Sequence, residues 1–99
     1  MSRIQHTVTF RLRDSVDEGR FLDHCLALAA IAGVEDFEVL YQVGTKNGFS
    51  HGLSMWFADA EAYAAYDAHP THRAFVEQVW LPQVEDFLEL DYVREPPAL

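Results

Sequence analysis

Tyr66-Asp67-Ala68-His69-Pro70-Thr71-His72 is the stretch on which the reading of this chain turns, because it sets a phenol and two imidazoles around a proline that stops one helix and starts another. The pyrrolidine ring disfavours helical geometry at the preceding residue and removes a backbone donor, yet proline suits the first position of a new helix. His69 is therefore expected to cap the break. Tyr66 lies one turn earlier, on the same face of the preceding helix. His72 opens a row with Phe75, Val76 and Val79 at the i, i+3, i+4, i+7 spacing of a core-facing stripe, so it should point inward.

Outward from this break the chain reads as strand, helix, strand, strand, helix, strand. Ile4, His6, Val8, Phe10 and Leu12 alternate with Gln5, Thr7, Thr9 and Arg11, the period of a half-buried strand. After a turn near Asp14, Asp17 and Glu18 suit a helix start, and Phe21, His24, Cys25, Leu28 and Ala32 form an apolar stripe that ends at Gly33. Phe37 to Val43 alternates again, Asn47-Gly48 signals a longer hairpin turn, and His51, Leu53, Met55 and Phe57 mark a third strand. Asp59 can cap a helix running to Ala68, the helix begun at Pro70 runs toward Leu81-Pro82, and a last strand covers about Phe87 to Val93. The order βαββαβ predicts an α+β, ferredoxin-like sandwich of an antiparallel sheet and helices.

In that topology the first and third strands are neighbours. Read as parallel, they place His6 and His51 side by side, with Tyr66 and His72 returning to the same end and His24 deeper in the cleft. Such a gathering predicts a polar hollow, since several imidazoles that each need partners are not compatible with a dry core. Each residue also has a plainer reading. A lone histidine on an apolar row is usually bonded to backbone or water, a buried tyrosine usually packs, and His69 is chiefly a cap.

If the hollow carries chemistry, it is proton transfer. An imidazole titrating at about 6.5 can act as a base near neutral pH, while a phenol titrating at about 10 stays protonated and donates to a developing enolate oxygen. His72 is the expected base and Tyr66 the oxyanion donor. The helix start at Pro70 should favour the neutral imidazole at His72.

The segment Tyr66-x-x-His69-Pro70-x-His72, with Ile4 to Arg13 at the start and Leu90-Asp91-Tyr92 at the end, resembles the stress-responsive A/B barrel (Dabb) family over nearly the whole chain. The resemblance implies a homodimer in which two sheets pair across a two-fold axis as a dimeric α/β barrel. It also implies cofactor-free aldol chemistry of the kind its plant polyketide cyclases perform with the matching Tyr66 and His72. His6 and His51 match pocket histidines of those cyclases. The expected substrate-binding set is His6, Val8, Phe10, His24, His51, Leu53 and Phe75. Two positions depart from the cyclases, His24 in place of a tyrosine and Val76 in place of a smaller residue, and these imply a smaller or different ligand. Two other readings stand beside this one: a non-catalytic binding or structural stress module, and a cofactor-independent monooxygenase of a related dimeric fold.

Composition bounds the partners. With 99 residues the chain reads as one domain, 1–99, with a flexible tail at 94–99. A chain of this size buries only about two thirds of its unfolded surface, so pairing with a second copy would help it. The net charge of -9, from 7 Lys and Arg against 16 Asp and Glu, opposes nucleic acid and anionic membranes as partners. A single cysteine, Cys25, allows no internal disulfide, and without a leader or an apolar run near the ~20 residues of a membrane span, a cytoplasmic location is expected. The ligand expected is small and apolar or aromatic. No metal or cofactor is expected: Pro70 breaks the helix between His69 and His72, no third ligand is placed, and Gly44 to Gly48 lacks the spacing of a phosphate loop. The outer sheet face, with Thr7, Thr9, Arg11, Ser54 and Trp56, is too mixed for a core and too aromatic for open solvent, and the resemblance to the Dabb family implies that a two-fold interface buries it.

Overall fold

The computed structural model describes residues 2–96. Four strands and the helices between them follow the expected order: β1 (Ile4–Leu12), α1 (Glu18–Ala29), β2 (Glu35–Tyr41), β3 (His51–Phe57), α2 (Ala60–Ala68), α3 (Pro70–Phe75) and β4 (Val84–Tyr92). A π-helical turn (Val76–Trp80) and a short α4 (Leu81–Gln83) join α3 to β4. The sheet runs β2-β3-β1-β4, and every neighbouring pair is antiparallel.

That last point corrects one expectation. β1 and β3 are adjacent but antiparallel, so Phe10 faces His51 and His6 faces Met55 across the pair. The cause is topological. A helical crossover returns β2 parallel to β1 with one strand's gap between them, and the hairpin then sends β3 back through that gap in the opposite sense. His6 and His51 thus occupy opposite ends of the same apolar row.

α1, α2 and α3 each start where a side chain can accept from free N–H groups. Asp17 accepts from the Arg20 amide at 3.1 Å, and Asp59 accepts from Ala62 at 2.8 Å. His69 has φ -65° and ψ 134°, and its Nδ1 accepts from Thr71 N at 3.0 Å, so it closes α2 and opens α3 as expected. α1 ends at Ala29, short of Ala32, and Gly33 turns the chain with φ of +92°, a conformation that suits glycine.

The helices cover one sheet face. Phe21, Cys25 and Leu28 of α1 meet Val8, Phe10, Leu53 and Met55 of the sheet, all of them buried. Phe10 is fully buried, its ring 4.9 Å from Trp80 and 5.6 Å from Phe21. Trp80 belongs to this core, whereas Leu81 beside it is exposed. The β1–β4 pairing places Phe87, Glu89 and Asp91 on the helix side of β4, opposite Phe10, Val8 and His6. Leu88, Leu90 and Tyr92 therefore face outward with Trp56, each of the three 44–50% exposed. Arg3 and Arg94 flank the Trp56 ring at 4.8 and 5.0 Å. Of the tail expected at 94–99, residues 97–99 lie outside those described.

Candidate active site

Between the inner sheet face and the helices lies an open cavity of about 250 Å³. His6, Val8, Leu53 and Met55 form its floor, and Tyr66, His72, Phe75 and Trp80 its helical wall. Phe87 and Glu89 of β4 close one side.

Tyr66 reaches this cavity because α2 descends antiparallel to β3 and buries one side chain in its last turn. It is 2% exposed, packed 5.0 Å from the Phe57 ring, and no described residue bonds its hydroxyl. Since no described side-chain oxygen is both buried and unpartnered, that hydroxyl opens into the cavity. Burial, then the nearby charges of Asp67 and Glu89, raises the phenol above its ordinary 10.0, so it remains a neutral donor.

His72 packs beside it at a 44° tilt, with ring centroids 4.5 Å apart. The bend at His69-Pro70 brings the Asp67 carbonyl oxygen within 3.1 Å of His72 Nδ1. The Nδ1–H donates there, leaving Nε2 with its lone pair. His6, with its ring centroid 6.3 Å from that of Tyr66, is held in the same tautomer by another means. Its Nδ1–H donates to Asp91 at 2.7 Å, and Tyr63 donates to the same carboxylate at 3.0 Å. Burial first, then the bond to Asp91, raises the Tyr63 phenol as well. An imidazole backed by a carboxylate, a second imidazole backed by a carbonyl, and a neutral phenol between them can accept and donate protons without a metal. Among the described residues no group of three or more His, Cys, Asp or Glu is placed to hold a metal ion.

His6, Val8, Leu53 and Phe75 line the cavity together with Tyr66 and His72. Three expected members stand elsewhere. His51 lies at the other end of the sheet, stacked 5.5 Å from Phe10, where Ser50 donates to its Nδ1 at 2.7 Å and its Nε2–H donates to Glu18 at 2.5 Å. His24 is exposed, because the buried stripe of α1 centres on Phe21, Cys25 and Leu28 and leaves His24 on its flank. Phe10 is core, further along the inner row of β1 that supplies His6 and Val8, and covered by Trp80. Tyr63, Glu89 and Asp91 escaped the sequence reading. Tyr63 is one helical turn before Tyr66, a usable signal. Asp91 and Glu89 needed the β1–β4 register, which carries an irregularity at Arg11/Leu12 that sequence alternation does not reveal.

A dabb family protein with a ferredoxin-like fold from Mesorhizobium loti is 47% identical to this chain, covering 97% of it and 100% of its own length, with a TM-score of 0.91. The hydroxynitrile lyase from Passiflora edulis shares the fold at 16% identity, with a TM-score of 0.85 over 99% of this chain and 98% of its own. Dimeric ferredoxin-like proteins superpose over 91–94% of this chain at 19–22% identity, with TM-scores of 0.67–0.78. A stress-response A/B barrel domain-containing protein of Arabidopsis thaliana is 26% identical over 97 residues, and the chain spans 37% of its length. A model of the Stress responsive A/B Barrel Domain family matches residues 4–94, and with strand order, helix break and cavity already in place, the chain belongs to that family.

Proposed function

We propose that the chain works as a homodimer whose sheet-to-helix cavity binds a small apolar or aromatic molecule and performs cofactor-free acid/base chemistry on it. The reaction class is proton transfer next to a carbonyl, as in aldol and cyclase steps. The observation that carries this reading is the hydroxyl of the buried Tyr66 side chain, open to the cavity and unpaired by described residues, beside His72. A protonated phenol aimed into a cavity can bind a carbonyl oxygen and stabilise the enolate that forms. His72, with Nε2 free, takes the α-proton and returns it; His6, steadied by Asp91, supplies a second acceptor. A hydroxynitrile lyase on the same fold supports such chemistry by fold analogy alone.

The homodimer rests on the outer sheet face, where Leu88, Leu90, Tyr92 and Trp56 form an apolar surface of the kind a two-fold interface buries. Dimeric relatives of the fold support it. No described helix is long and apolar enough to cross a membrane, and the unpaired Cys25 suits a reducing compartment such as the cytoplasm.

The test needs no knowledge of the natural substrate. Small ketones are incubated with the protein in deuterated buffer and α-proton exchange is followed by NMR. Wild type should exchange at least one of them, and Tyr66→Phe and His72→Ala should each lower the rate by about 10²-fold or more without loss of fold. Wild-type rates in both variants remove the catalytic reading and leave a binding or structural module. Oxygen consumption with an aromatic substrate would instead favour the monooxygenase alternative.

A further inference from the structure

We infer that the cavity selects a small organic cation, an ammonium group carried on an apolar or aromatic body, with Glu89 as its counter-charge. The inference rests on the cavity reading above and narrows it to a ligand class.

Glu89 supplies the carboxylate of the cavity lining, and among the described residues no Lys or Arg lines it. It stands on the inner row of β4 opposite Val8, between Phe87 and Asp91. Its neighbour on that row, Asp91, accepts from His6 and Tyr63; Glu89 has no hydrogen bond or ion pair with any described residue. Glu89 is exposed at the mouth of the cavity, so its charge is open to a ligand ammonium that enters against the aromatic wall.

The walls point to the same chemistry. Trp80 and Phe87 meet edge to face at 5.6 Å, and Phe75 lies 6.2 Å from Trp80, so aromatic rings border the space beside Glu89. Aromatic faces attract cations, and a cluster of rings with one carboxylate is the arrangement that ammonium groups favour. The Tyr66 hydroxyl, on a side chain 2% exposed and unpaired by described residues, opens into the same space and offers a neutral partner for a polar substituent of the ligand. A net charge of -9 also draws cations toward the chain and repels carboxylates and phosphates. A volume of about 250 Å³ suits one substituted ring.

Benzylammonium, benzyl alcohol and benzoate share a shape and differ in charge, so their affinities, measured at neutral pH by NMR titration, isolate the selection. Benzylammonium should bind about tenfold more tightly than benzyl alcohol, and benzoate most weakly. Glu89→Gln should bring benzylammonium down to the level of benzyl alcohol and leave the alcohol unchanged. Equal binding of all three, preference for benzoate, or an unchanged benzylammonium affinity in Glu89→Gln overturns the charge selection while the cavity reading stands. Absence of binding by all three overturns the cavity reading itself, and this inference with it.

Discussion

Asp91 accepts a 2.7 Å hydrogen bond from His6 Nδ1, across the β1–β4 pair in which the two residues face each other. Tyr63 donates to the same carboxylate from α2, so one acidic side chain ties a helix to two strands at the edge of the cavity. Removing it leaves a buried imidazole and a half-buried phenol with only each other, at 2.9 Å, as partner. Asp91→Ala should lower stability by about 1–2 kcal/mol, the lower part of the range for hydrogen bonds to charged groups because Asp91 is partly exposed. Tyr63→Phe should cost about 1 kcal/mol. Urea denaturation of the two variants and wild type checks both values, and an Asp91→Ala midpoint equal to wild type would refute the role assigned to the carboxylate.

His51 gives the contrasting case. Its ring nitrogens are both engaged, by Ser50 and Glu18, and it sits at the far end of the row from His6. His51→Ala should destabilise the fold by about 1–3 kcal/mol through lost packing on Phe10 and lost hydrogen bonds. Ligand affinity at the cavity should stay within about twofold of wild type once the protein is folded, a change of under ~0.5 kcal/mol. Parallel thermal melts and NMR titrations separate the two effects.

Cys25 predicts a pH dependence. Burial pushes its thiol up to about 12 from an ordinary 9.0, and burial likewise raises Tyr66 and Tyr63 above 10.0. In each case the unfolded chain loses its proton more readily than the folded one, so stability is complete below the unfolded pKa values and falls as pH rises above about 9. Denaturation midpoints should decline between pH 9 and 12. At pH 8 the folded protein should resist iodoacetamide, with labelling that tracks unfolding in urea; rapid native-state labelling would contradict the burial of the thiol.

The outer face of β4 carries the assembly prediction. Leu90 is 44% exposed opposite Thr7, between Leu88 and Tyr92 on the same face. Leu90→Lys should convert a dimer into a monomer in sedimentation experiments at micromolar concentration while the cavity keeps its ligand affinity. A monomeric wild type under those conditions refutes the homodimer.

Strand and helix order, both caps around Pro70 and the inner row of β1 were all legible in the residues, because alternation and capping are local. The direction of β3 relative to β1 followed from topology, and reading it as parallel moved His51 to the wrong end. His24 shared the spacing of the α1 stripe, yet three-dimensional packing centred that stripe elsewhere. Asp91 and Glu89 were the least accessible, since an acidic residue in an edge strand reads as solvent-facing until its partner strand and register are known.

The five residues Val76–Trp80 wind more loosely than the α-helical turns on either side, holding one residue beyond the usual count. That extra residue phases Trp80 onto Phe10 and Phe21. Winding the same five residues as regular α-helix would instead swing the indole about 100° around the axis, out of the aromatic stack. The slack in this one turn is thus what lets an extra residue be housed without dislodging the indole from its aromatic neighbours.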